Sequence, residues 1–113
     1  MAGANESSPT GTCTVIAKLD AHFTNANTQA FLVFNNQKSV VCLDADYSNR
    51  RFKAMNIPRN KSCQLLVISK MDNEYYFTKA SLQTLSQGDE QLMMMTPVRS
   101  RFADIQAELD SFR

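Results

Sequence analysis

The chain has little glycine, a single histidine and no long apolar run, and each shortage removes a class of function. Its three glycines, Gly3, Gly11 and Gly88, are scattered over 113 residues. No glycine-rich loop exists to cradle a phosphate, and no Gly-x-Ser-x-Gly elbow presents a nucleophile. His22 has no carboxylate or cysteine at ligand spacing, and acid–base or metal chemistry needs such a positioned partner. Cys13, Cys42 and Cys63 form no Cys-x-x-Cys pair, so no zinc site is expected. Their odd count and apolar neighbours suit reduced core thiols of an intracellular protein, not a disulfide frame. Asp44 and Asp46, two apart at a strand end, suit a cap as well as a metal pair. No stretch approaches the roughly 20 apolar residues that span a bilayer. Met1 to Gly11 is small and polar, without a basic or apolar leader region, and is expected to be a disordered lead-in, not a signal peptide. Neither an enzyme nor a cofactor or metal is expected.

Acidic residues are also missing from one long stretch, and that absence is informative. The net charge is only +1, which excludes a globally basic nucleic-acid coat, yet no Asp or Glu lies between Tyr47 and Met71. Five of the twelve basic residues, Arg50, Arg51, Lys53, Arg59 and Lys61, fall there within twelve positions. With Tyr47 and Phe52 as stacking partners they are the candidate nucleic-acid contacts, since single-strand binders join cationic grooves to aromatic platforms. The plainer alternative is a solvated face whose aromatics point into the core. Tyr75-Tyr76-Phe77 is a second aromatic cluster. Strand alternation sends Tyr76 to the opposite side from its neighbours, so at least one of these rings is expected at the surface.

What is present is ample material for one small β domain. Hydrophobic residues make up 43% of the chain, well above a disordered composition. Thr12–Leu19 alternates apolar and polar residues and carries β-branched side chains, as a half-buried strand does. Gln29–Phe34 and Ser39–Leu43 are apolar runs joined by Asn35-Asn36-Gln37-Lys38, which predicts a hairpin. Asp46 to Asn56 places Tyr47, Arg51, Phe52 and Met55 at helical spacing, with Ile57-Pro58 as a stop, and predicts a short helix. Ser62–Met71 and Glu74–Leu82 are strand-like around Asp72-Asn73, and residues 86–96 are expected to be a linker.

The last seventeen residues carry the clearest pattern. Val98, Phe102, Ile105, Leu109 and Phe112 recur at spacings of four, three, four and three, an a/d stripe along one side of a helix. Thr96 and Pro97 are expected to cap and open that helix over 97–113. So short a helix is marginal alone in water and must pack. It either covers its own domain or joins helices of partner chains. Leu92, Met93, Met94 and Met95 form an adaptable apolar collar before it.

The expected order is therefore a strand, a hairpin, a short helix, a second hairpin, a linker and a long helix. That arrangement predicts a mainly β protein: a five-stranded OB-like antiparallel barrel over 12–85, a short helix between strands three and four, and a C-terminal α-helix. On Thr12–Leu19, Gln29–Leu43, Ser62–Leu82 and the terminal stripe, the chain resembles the smallest subunit of replication protein A and related telomere and recombination OB subunits. The resemblance implies a nuclear, non-catalytic subunit that assembles with partners through helix 97–113, in a hetero-oligomer whose complex binds single-stranded DNA or RNA. A pleckstrin-homology-like or other small β adaptor, binding protein or lipid headgroups through Arg50–Lys61, is the alternative.

Overall fold

A computed structural model describes residues 11–20, 23, 27–34 and 39–111. The nine strands in it are β1 Thr12–Lys18, β2 Thr28–Phe34, β3 Ser39–Cys42, β4 Asp44–Asp46, β5 Arg51–Pro58, β6 Ser62–Met71, β7 Glu74–Gln83, β8 Glu90–Met94 and β9 Val98–Ser100. One helix, α1 Phe102–Asp110, follows them. The protein is mainly β, as its alternating apolar runs predict. The expected lead-in through residue 10, His22, the turn 35–38 and Phe112 lie outside the described residues.

The strands form two sheets, in the orders β4-β5-β1-β8 and β3-β2-β6-β7-β9. Alternation along each strand explains how they stack. Cys13, Val15 and Ala17 of β1 and Phe52, Ala54 and Ile57 of β5 face one way; Ala30, Leu32 and Phe34 of β2 and Cys63, Leu65 and Val67 of β6 face them. These side chains make one buried cluster between the sheets. Thr28 and Ser69, both buried and directly opposite each other in the register, satisfy their hydroxyls mutually at 2.8 Å. Thr84 closes one end. Its Oγ1 donates to the Pro58 carbonyl at 2.7 Å and accepts from the Lys61 N–H at 2.8 Å.

The two sheets share one stretch of chain. Leu43 N–H still donates to Ala30 in the second sheet, at 2.9 Å, while the next residue opens β4 of the first. Leu43 is buried at this corner. No further strand pairing joins the sheets among the described residues, so no closed barrel is seen.

Three expectations need correction. The helix expected over Asp46–Asn56 is a 3-10 turn, Tyr47–Asn49, followed by β5. Tyr47, Arg51, Phe52 and Met55 fall at helical spacing without sharing a face, since Phe52 is buried and Met55 exposed, and a bulge hides the strand's own period. β1 and β5 slip register between Cys13 and Val15, and Asn56 takes φ 60. Phe52 and Ala54 face inward two apart and Ile57 three later, which mixes the two periods. The expected linker holds β8, which pairs in parallel with β1 from Thr14↔Glu90 to Lys18↔Met94. The terminal helix begins at Phe102, not Pro97, because the edge of β7 takes up Val98–Ser100 as β9. Tertiary pairing overrides the local helical pattern there.

The cysteines divide. Cys13 and Cys63 are buried between the sheets, but Cys42 is exposed, since alternation along β3 turns it outward. Burial first, and then nearby Cys13, pushes the Cys63 thiol up to about 11. At pH 8 its thiolate fraction is then on the order of one in a thousand, and the thiolate is the reactive form. A thiol reagent is expected to label one site quickly and two only on unfolding. Peptide mapping that finds the fast site anywhere but Cys42 would contradict the strand facings.

Candidate binding surfaces

α1 covers part of the outer face of the second sheet. Tyr75, Phe77 and Lys79 of β7 point outward together, opposite Lys70, Ile68 and Leu66 of β6. Ile105 sits over this face at 2% exposure and is the fully buried member of the helix. Leu109 borders an apolar groove of about 280 Å³ with Phe31, Val33 and Leu66. Lys79 Nζ holds the Glu108 carboxylate at 2.7 and 2.8 Å. Of the predicted partner stripe, then, Ile105 and Leu109 lie on the chain's own sheet. Val98 is exposed in β9, and Phe102 is exposed at the helix start.

The first sheet carries no helix on its outer face. Thr14, Ile16 and Lys18 of β1 align with Glu90, Leu92 and Met94 of β8. Lys53 of β5 is opposite Ile16, and Arg51 is opposite Lys18. Leu92 is 53% exposed, Met55 61% and Met94 71%, while Ile16 is covered at their centre. Three large apolar side chains exposed on one sheet face are a candidate interaction surface. Neither periodicity nor charge marked this patch, because the collar read as linker and Met55 as part of a helix.

The predicted basic segment is divided by the same strand. Arg51 and Lys53 stand on this outer face, directly opposite Asp46 and Asp44 of β4, so cross-strand carboxylates offset their charge. Hydrogen bonds from Asn49 at 2.8 Å and Ser48 at 2.9 Å hold the Asp46 carboxyl below its ordinary range, with Arg51 adding a smaller attraction. Arg50 takes the left-handed conformation that ends the 3-10 turn, at φ 57. Arg59 and Lys61 lie past the far end of β5. Arg59 Nη2 donates to the Gly88 carbonyl at 2.7 Å and so anchors the loop before β8. The five cations therefore do not converge on one groove. Tyr47 meets Phe52 edge-on at 6.3 Å, and Phe52 is a core residue.

A second cluster brings aromatics and cations together at the β6–β7 hairpin. Asp72 and Asn73 form its turn with φ 52 and 66, the left-handed pair a two-residue hairpin requires. Lys70 faces Tyr75 across the strands, and its Nζ lies 5.5 Å from the ring centroid. The Phe102 ring also meets Tyr75, with centroids 5.1 Å apart at 45°. Tyr75, Arg99, Arg101 and Phe102 line an open cleft of about 620 Å³. Arg99 pairs with Glu74, and Arg101 pairs with Asp104 at 3.2 Å. Tyr76 turns inward, as alternation requires, and packs on Phe23 at 5.4 Å.

Among the described residues no three His, Cys, Asp or Glu side chains gather as a metal site, and no helix is long and apolar enough to cross a membrane. The chain matches no protein-family model, no curated protein and no solved structure.

Proposed function

We propose that this chain is a non-catalytic subunit of a multi-chain assembly, and that the assembly acts on single-stranded nucleic acid inside the cell, in the nucleus. The observation that carries the assembly role is the uncovered outer face of the first sheet. Met55, Leu92 and Met94 stand open to solvent there around Ile16, and patches of this kind mark interaction sites. Unbranched methionine adapts its shape to a partner. The partner surface is thereby assigned to this sheet in preference to the helix stripe, whose centre, Ile105, is already buried. The nucleic-acid role follows the resemblance to small OB subunits. Leu43 supports an OB-like arrangement, since closing two sheets into a barrel needs strands that pass from one to the other.

Replacing Leu92 and Met94 together with Lys is expected to leave the melting temperature nearly unchanged, because both side chains are already exposed. The same change is expected to remove stoichiometric partners from the native complex, measured by mass on tagged full chain isolated from its own cells. Partners retained at full stoichiometry would sink the assignment of this face. The separation of Arg51 and Lys53, on the outer face of β5, from Arg59 and Lys61, past its far end, speaks against a single lipid-headgroup site on Arg50–Lys61. Retention of the chain on acidic vesicles would favour that alternative.

A further inference from the structure

The Tyr75–Phe102 cleft has no part in the assembly face, and its chemistry differs from that face. Phe102 is 54% exposed, yet its ring is held in place by Tyr75 beneath it. A large aromatic kept in water and braced by a second ring is a stacking platform with little conformational freedom left to lose. Arg99 and Arg101 line the cleft, and Lys70 lies at the Tyr75 ring beside it. The carboxylates nearby are Asp72 in the turn, Glu74 and Asp104. Those holding the two arginines do so in exposed pairs, which contribute little in water and exchange readily for a phosphate.

We infer that this cleft stacks a base of single-stranded nucleic acid on Phe102, which Tyr75 braces, with Arg99, Arg101 and the neighbouring Lys70 meeting the flanking phosphates. The inference rests on the proposed nucleic-acid role and moves the contact away from Arg50–Lys61. Base–aromatic stacking tolerates any sequence because every base offers a π-face.

The test is fluorescence anisotropy of labelled oligo(dT) and oligo(U), titrated with the full chain at low salt. Phe102→Ala is expected to weaken binding by about 10-fold to 100-fold, with the melting temperature held. Tyr75→Phe keeps the stack and is expected to bind like wild type. Arg99→Ala with Arg101→Ala is expected to flatten the log–log salt dependence by about 0.7 for each phosphate left unneutralised. Arg51→Glu with Lys53→Glu is expected to change neither. The inference is overturned, and the nucleic-acid role stands, if Phe102→Ala binds like wild type while the Arg51/Lys53 reversal abolishes binding. Wild-type chain that retains neither oligonucleotide would overturn both. A Phe102→Ala change in native mass with oligonucleotide binding intact would make the cleft a protein interface and overturn the inference.

Discussion

Replacing Ile105 with Asp is expected to lower stability by roughly 3–5 kcal/mol, or about 12–20 °C in melting temperature at ~4 °C per kcal/mol. Ile105 is the one fully buried residue of α1, and a carboxylate at that position has no partner to offset its desolvation. The cost has a ceiling, because the helix can lift off the sheet to escape it. Undocking then exposes Leu66 and Val33, which are buried on the outer face of the second sheet. Far-UV spectra should keep their strand signal while hydrophobic dyes begin to bind. Phe102→Glu serves as the contrast, since Phe102 is exposed and should cost less than about 1 kcal/mol. Equal losses from the two variants would mean that the stripe docks differently from the structure. A stable Ile105→Asp monomer that has lost its partners would return assembly to the helix.

Phe52→Ala is expected to be at least as damaging, at about 3–5 kcal/mol. Its ring is 2% exposed near the start of β5, within the buried cluster between the sheets. Domains of this kind are stable by only about 5–15 kcal/mol, so the variant should populate unfolded chain near body temperature. Urea unfolding measures it, and an unchanged m-value would locate the effect in the native core. Met55→Ala, three residues along on the opposite face, should be nearly neutral in the same assay because Met55 is exposed. A loss under about 1 kcal/mol for Phe52→Ala would contradict the packing between the sheets.

Strands with alternation or a short apolar run beside a turn were legible in the sequence: β1, β2, β3, β6 and β7 lie within about a residue of their expected bounds. The rest failed for separate physical reasons. The Asn56 bulge broke the two-residue period of β5, which left the chance helical spacing of Tyr47, Arg51, Phe52 and Met55 as the stronger pattern. β8 and β9 are short edge segments whose conformation is imposed by β1 and β7, and edge pairing leaves little local trace. For the surfaces, local sequence placed Arg51 and Lys53 together but did not show that Asp46 and Asp44 stand across from them. Neither could it bring Phe102 to Tyr75, since that contact depends on β9 pairing with β7. The one local signal was the aromatic cluster Tyr75-Tyr76-Phe77, which required one ring at the surface.

The parallel pairing of β1 with β8 sets a timetable for synthesis. Thr14 waits for Glu90, Ile16 for Leu92 and Lys18 for Met94. At roughly 5–20 residues per second on the ribosome, that side of β1 stays unpaired for about four to fifteen seconds after it is made. An open strand edge is a template for wrong pairings during that time. The nascent chain is most exposed to aggregation before β8 emerges, and chaperone capture should fall sharply once Met94 clears the exit. A shortened chain meant only to remove the helix must therefore run past Met95, whose N–H donates to the Lys18 carbonyl. Cut at Gln91, it would keep the delay permanently.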